Sequence, residues 1–360
     1  MALFEGESRV LQVHPTRACN LRCRHCYSSS GPEEGHGLPV ALLRGAVADA
    51  AEEGYTALAV SGGEPFVYPG LLELLEEARS LGLATTVTTN GLLLDPERLG
   101  EMRGKLDLLA ISVDGVPESH DHLRDSPGAF AAMESRLQHV REAGQAFGFA
   151  FTLTRSNANE LGWVADFALE QGASFLQVHP LEAAGRAAET LRGAAPDDFE
   201  AAFAWVVASR LRDSLRGRLG IHVDLLDRGR LRVGAGSDPA ADTWGPQPLS
   251  ALRAGSGSAL REPSPLSDRI ATLVVEADGT VVPLRYGFPR AFALGRLDEA
   301  RLRFLAARWR AQRLPAFSHL CRRTIEELAV SAEPPIVNWH HEVARRATLW
   351  RLSEHAHAYW

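Results

Sequence analysis

The run Val10-Leu11-Gln12-Val13-His14 is followed three residues later by Ala18-Cys19-Asn20-Leu21-Arg22-Cys23-Arg24-His25-Cys26-Tyr27. The first reads as a short strand, the second as a polar loop closing it. Outward from this pair, short apolar runs alternate with amphipathic stretches at a spacing of about 30 residues, the signature of repeated βα units. Further candidate strands are Ala57–Val60, Thr85–Thr89, Leu108–Val113, Phe147–Thr154 and Phe175–His179. Between them, Leu71, Leu72, Leu74, Leu75 and Ala78 form one apolar helix face over Leu71–Ser80. Helices are also expected from near Val40, Ala129, Glu160 and Asp197, the last with a capping box to Glu200. The pattern stops near Gly220, so the fold class is α/β: a partial (β/α)6 barrel over residues 1–220, open rather than closed.

Residues 221–360 read differently, as a smaller α+β domain. Gly, Ser, Ala and Pro crowd Gly234–Pro265, a long loop or insertion. Ile270, Leu273 and Val275 then lead through Ala277-Asp278-Gly279-Thr280 to Val281 and Val282, a hairpin. Helices over Ala300–Arg313, His319–Ala329 and Val337–Ala358 follow, and Tyr359-Trp360 is expected to dock on the domain.

Of four cysteines in 360 residues, three stand as C-x3-C-x2-C. A zinc site is one reading, but zinc favours paired C-x2-C units and four ligands, and Cys321 lies far away in sequence. Three thiolates on one loop suit three irons of a 4Fe–4S cluster, leaving the fourth iron open to an exogenous ligand. Placed after the first strand, the group sits at the C-terminal mouth of the sheet, where barrel chemistry is expected.

Composition bounds the partners. Hydrophobic residues make up 45% and charged residues 23%, which excludes a disordered chain. A net charge of −7 argues against a general nucleic-acid binder. Without a secretory signal in Met1–Val10 or a run of about 20 apolar residues, a soluble cytoplasmic protein with no membrane partner is expected.

The cysteine loop, with Asn20, Leu21, Arg22 and Tyr27 around it, resembles that of the radical SAM superfamily, in the branch carrying SPASM or twitch domains. Ser61-Gly62-Gly63-Glu64-Pro65 after the second strand resembles the family's GGEP motif. Thr88-Thr89-Asn90-Gly91 resembles its TNG motif, and Ile111-Ser112-Val113-Asp114-Gly115 with His120-Asp121 and Arg124 its fourth-strand pattern. Pro180-Leu181-Glu182 through Gly185-Arg186-Ala187 is similar to a segment near the adenosine. The resemblance implies that Cys19, Cys23 and Cys26 hold one 4Fe–4S cluster and that S-adenosylmethionine (SAM) binds beside it. It places His25 at the adenine, and Gly62, Gly63, Glu64 and Pro65 along the ligand, with Glu64 accepting from its amine. Thr88 and Asn90 also contact SAM, and Ser112 and Arg124 hold its carboxylate; Arg124 also reads as a plain surface arginine.

The resemblance weakens after residue 220. Where a SPASM or twitch hairpin precedes an auxiliary-cluster cysteine, this chain has Leu284, and Cys321 is the one cysteine outside the triad. A SPASM-like scaffold without its clusters is expected. The implied activity is reductive cleavage of SAM to a 5′-deoxyadenosyl radical that abstracts hydrogen from a peptide of the RiPP type or another natural product. The alternatives are a small-molecule enzyme of cofactor or antibiotic biosynthesis, such as an epimerase, and a non-catalytic SAM-binding partner subunit. A reductant such as flavodoxin or ferredoxin is implied. With strand one starting near Val10, a separate leader-peptide-binding protein is expected for a peptide substrate. Cys321 is a candidate hydrogen donor, or a buried structural cysteine. Arg301, Arg303, Arg308, Arg310 and Arg313 with Trp309 read as a solvated helix face, or one for an acidic peptide. His340-His341 reads as helical surface.

Overall fold

The computed structural model describes residues 9–35, 37–229, 264–330 and 334–357. Its frame is the run of β1 (Val10–Val13), β2 (Ala57–Val60), β3 (Ala84–Thr89), β4 (Leu108–Ser112), β5 (Phe147–Leu153), β6 (Phe175–Pro180) and β7 (Gly220–Val223). Each pairs in parallel with the next. The crossovers carry α1 (Val40–Glu52), α2 (Leu71–Ser80), α3 (Pro96–Met102), α4 (Pro117–Arg124), α5 (Ala129–Glu142), α6 (Leu161–Gln171), α7 (Ala187–Thr190) and α8 (Asp198–Ser214). The expected capping box opens α8: Asp197 accepts from Phe199 and Glu200 N–H, and Glu200 accepts from Asp197 N–H at 2.9 Å.

The strands alternate rather than being apolar throughout. Leu11 and Val13, Leu58 and Val60, and Val87 are at most 1% exposed against the helices. The opposite face carries small and polar residues, Gln12, Thr86, Thr88, Ser112, Gln177 and His179, all half-buried and in register across β1 to β6. Since side chains alternate with period two, one pattern fills a core and the other lines an open concave face.

Two sequence expectations change here. The strands that follow one another in chain order and pair in parallel number seven, β1 to β7, because β7 pairs with β6; a boundary at residue 220 therefore cuts a strand of the main sheet. The C-terminal hairpin also joins that sheet. After β8 (Leu226–Asp227) come β9 (Thr272–Val275), β10 (Thr280–Pro283) and β11 (Gly295–Arg296), and β9 pairs in parallel with β1. The sheet has ten strands in the order β11-β10-β9-β1-β2-β3-β4-β5-β6-β7. Gly279, with φ 83°, closes the hairpin in a left-handed conformation that glycine adopts without strain. All but the end of the Gly234–Pro265 segment, and Tyr359-Trp360, lie outside the described residues.

The chain continues with α9 (Leu302–Gln312), α10 (Leu314–Val330), β12 (Ile336–Val337, paired with β8) and α11 (Trp339–His357). Of the five arginines expected on a solvated face, Arg308 and Arg313 are exposed, whereas Arg301, Arg303 and Arg310 seat α9 against α1. Arg301 and Arg303 converge on the fully buried Asp49, donating at 2.7 and 2.6 Å. Arg310 reaches Glu53 at 2.9 Å. Trp309 is 1% exposed and donates to Phe292 O at 2.8 Å, so it offers nothing to a peptide. His340 is likewise no surface histidine: it is half-buried, and burial lowers its pKa to about 4. No helix among the described residues is long and apolar enough to cross a membrane.

Asp49→Ala removes the shared acceptor of two arginines. Because both guanidinia reach solvent, the expected loss is about 1–2 kcal/mol, read as a lower urea midpoint with unchanged slope. Arg308→Ala, whose partner Glu299 lies 4.0 Å away at the surface, should change almost nothing.

Candidate functional site at the sheet mouth

The loop after β1 is fixed by backbone before any side chain acts. Cys19 N–H donates to Gly31 O at 3.2 Å and Gly31 N–H to Arg17 O at 3.1 Å, closing it at its base. The loop after β2 then zips onto it: Gly63 N–H donates to Thr16 O and Glu64 N–H to Ala18 O, both at 2.9 Å. This explains the two glycines. A Cβ on Gly63 would lie 2.1 Å from Ala18 O, and one on Gly62 (φ 109°) 2.9 Å from Thr16 O. They let two loops touch, a closer constraint than the approach of a ligand read from sequence.

Glu64 extends the zip to the third strand. Fully buried, it accepts from Phe66 N–H at 3.2 Å, Thr89 Oγ1 at 2.8 Å and Asn90 N–H at 2.9 Å. Burial raises its pKa, and these three bonds work against that rise. An ionised carboxylate has about four acceptor positions, and these bonds occupy three. Pro65 is buried at the start of the next turn. Asn90, 6% exposed, donates from Nδ2 to Asn20 Oδ1 at 2.8 Å, tying the TNG turn to the cysteine loop. Thr88 and Ser112 lie on the concave face.

The far side of the loop is held by Arg186. Its guanidinium donates to Cys23 O and Ser30 O, both at 2.7 Å, and its N–H to Cys26 O at 2.9 Å. Gly185 makes this possible, since a Cβ there would lie 2.2 Å from Tyr27 O. In the sequence this arginine stands only within the Pro180–Ala187 segment expected near an adenosine; a loop clamp leaves no signature in one sequence.

All three thiols are free, Cys23 buried and Cys19 and Cys26 half-buried. Burial pushes Cys19 up to about 12 and raises Cys23, where Arg124 opposes the shift. Thiols that burial keeps protonated become good ligands only beside a strong cation. Among the described residues no three His, Cys, Asp or Glu side chains are grouped tightly enough to hold a single metal ion. Three thiols spread along one loop, each sulfur near an N–H or O–H donor, fit a larger cage of irons. Beneath them, Asp114 is fully buried and accepts from Arg124 Nε at 2.7 Å. Burial alone would raise its pKa; Arg124, then His25 and His120, hold it well below the carboxylate range. His25 is packed between Leu123 O (3.1 Å) and Asp114 (3.7 Å), so its ring serves this network.

Across the mouth, at the C-terminal ends of β6 and β7, sits a group that sequence reading missed. His179 Nδ1 hydrogen-bonds Asp224, and Asp224 also accepts from His222 Nε2 at 2.8 Å. Glu182 beside them pairs with Arg285 at 2.8 Å, bringing in the segment after β10. Position was the one available signal: His179 ends a barrel strand. His14, at the end of β1, is fully buried between Tyr27 and Tyr286 with both ring nitrogens unpartnered. Burial lowers its pKa to about 3, so it is neutral. Leu284, standing where an auxiliary-cluster cysteine was sought, is 3% exposed at φ 68°. Cys321 is not brought to the mouth. It lies within α10, 1% exposed in the apolar core, and burial pushes its thiol up to about 12. A hydrogen donor must reach the substrate, and a thiol sealed among Phe317, Leu320 and Ile325 does not.

Gly63→Ala should displace the cysteine loop at a cost of about 1–3 kcal/mol, seen as a lower Tm and reduced iron retention; wild-type iron content would refute the close-packing argument. Burial alone would lower the pKa of His179, but the charge and hydrogen bond of Asp224 raise it. A raised folded-state pKa stabilises fully below the unfolded value near 6.5 and is lost as pH rises through the folded value. NMR titration should therefore find His179 above 6.5 in the wild type and lower in Asp224→Asn. The stability difference between the two should shrink as pH rises through that range.

The Radical SAM superfamily profile matches residues 13–168. The chain is 31% identical over 208 residues to the AdoMet-dependent heme synthase of Methanosarcina barkeri, covering 57% of this chain and 59% of that protein. It is 31% identical over 217 residues to the sporulation killing factor maturation protein SkfB of Bacillus subtilis, covering 59% and 50%. The chain spans about half the length of the curated relatives it matches. Among solved structures, Streptococcus suis SuiB bound to S-adenosylmethionine superposes with TM-score 0.61 at 14% identity, over 83% of this chain and 65% of that one. Native anSMEcpe with bound AdoMet gives 0.59 at 16% identity, over 96% and 97%. These two share the fold. The cysteine loop lies within residues 13–168, the segment that matches the radical SAM superfamily, whose members use a 4Fe–4S cluster and SAM.

Proposed function

We propose that this chain is a radical SAM enzyme acting on a peptide of the RiPP type or on a small natural product. The observation that carries the reading is the cysteine loop itself: three free thiols, at the C-terminal edge of the parallel sheet, held in place from β2 and α7. When bound, the cluster and SAM supply an electron and a 5′-deoxyadenosyl radical that removes a hydrogen atom from substrate.

The remaining work falls to residues of this chain. Cys19, Cys23 and Cys26 ligate; Gly62, Gly63, Glu64 and Pro65 shape the wall beside them. Glu64 accepts from the amine of SAM, and Thr88, Asn90 and Ser112 line its path. On the other side of the mouth, His179, oriented by Asp224, is placed to exchange a proton with the substrate. A peptide is supported by the PqqA peptide cyclase of Ruegeria pomeroyi, and the reading accords with two relatives named for maturation, SkfB and the mycofactocin maturase MftC of Mycobacterium ulcerans. The small-molecule reading is favoured by the match to heme synthases. A flavodoxin or ferredoxin as reductant belongs to either reading, and a separate leader-binding protein to the peptide one. With Cys321 enclosed in the core, one cluster per chain is expected.

After anaerobic reconstitution the chain should hold about four irons and, with dithionite and SAM, release 5′-deoxyadenosine. Cys19, Cys23 and Cys26 replaced together by Ala should abolish both signals. About eight irons, with a second cluster surviving the triple substitution, would overturn the single-cluster assignment. Cluster binding without any 5′-deoxyadenosine would leave a SAM-binding subunit.

A further inference from the structure

The three sulfurs of the loop are not equivalent. Cys19 Sγ lies 3.4 Å from Leu21 N–H and 3.9 Å from Asn90 Nδ2. Cys26 Sγ lies 3.3 Å from Ser30 N–H and 3.4 Å from the Ser28 hydroxyl. These donors are neutral. Among the described residues Cys23 alone receives a cationic one: Arg124 Nη1 stands 3.9 Å from its sulfur. Arg124 is 7% exposed and Asp114 is fully buried, so neither reaches bulk water.

The orientation of this pair matters as much as its presence. Asp114 takes Arg124 by Nε at 2.7 Å, leaving Nη1 turned toward Cys23. Asp114 is itself held: its carboxylate accepts from Thr152 N–H at 3.3 Å, and its carbonyl from Asn157 Nδ2 at 3.0 Å. His25 and His120 pack beside it. The ion pair is thus a fixed dipole with its positive end on one sulfur.

We propose that Arg124, positioned by Asp114, sets the reduction potential of the cluster through Cys23. The inference rests on the assignment of the three cysteines as cluster ligands. Reduction adds one electron from an external reductant to the cluster, making it more negative. A cation and a hydrogen bond at a ligating sulfur stabilise that product more than the oxidised form, and so raise the potential. Low polarity around Arg124 keeps the effect from being screened.

The test is a redox titration of the whole reconstituted chain, without SAM, followed by electron paramagnetic resonance. The double variant Arg124→Gln/Asp114→Asn removes both buried charges together, so neither is stranded. Its equilibrium constant for reduction should fall roughly three- to tenfold, tenfold being about 59 mV for one electron. Arg124→Lys keeps a charge in a less directed form and should fall between the two. A wild-type chain that takes up no cluster would overturn the assignment of the cysteines. An intact cluster with one midpoint in all three proteins would overturn the role of Arg124 alone. Weakened SAM binding at that unchanged midpoint would return Arg124 to the ligand carboxylate. Loss of iron from both variants would make it a scaffold residue instead.

Discussion

Everything at the mouth depends on the backbone contact between the loop after β1 and the loop after β2. Gly62 and Gly63 leave no side chain between them, so Thr16 O and Ala18 O accept directly from the second loop. That contact fixes where Cys19 begins, and Arg186 fixes where Cys26 ends. A flexible loop bearing three thiols would spend its binding free energy on ordering itself. Here the ordering is done by glycine, backbone and one arginine before a ligand arrives.

The parts of the fold legible in sequence were those governed by local pattern. Strand β2 and helix α2 run over the residues that apolar spacing indicates, and the Asp197–Glu200 box opens α8. Long-range pairing was not legible. Nothing local in Thr272–Val275 says that it lies beside Val10–Val13, and nothing in Arg301 or Arg303 names Asp49 as their acceptor. The same division holds at the site. Cysteine spacing and GGEP carry their own chemistry, whereas the pairing of His179 with Asp224 needs two strand ends brought together. Cys321 shows the converse: its scarcity in sequence suggested chemistry, and its burial in the core of α10 gives it packing.

A sheet covered by helices on both faces would be apolar at every position. Thr86, Thr88, Ser112, Gln177 and His179 break that pattern on one face and keep it half-buried. In Ala84–Thr89 burial alternates residue by residue, with Thr85, Val87 and Thr89 buried and Ala84, Thr86 and Thr88 half-buried. The C-terminal segment borders the mouth through Arg285 and Tyr286, which meet Glu182 and His14.

The pairing of β9 with β1 also imposes an order on assembly. β1 leads into the cysteine loop, and until Thr272–Val275 has been synthesised one of its edges carries unpaired amides and carbonyls. An open strand edge is a template for association with other chains, and contacts so distant along the sequence form slowly. A nascent chain emerging from the ribosome thus presents its thiols well before the strand beside them can be sheltered.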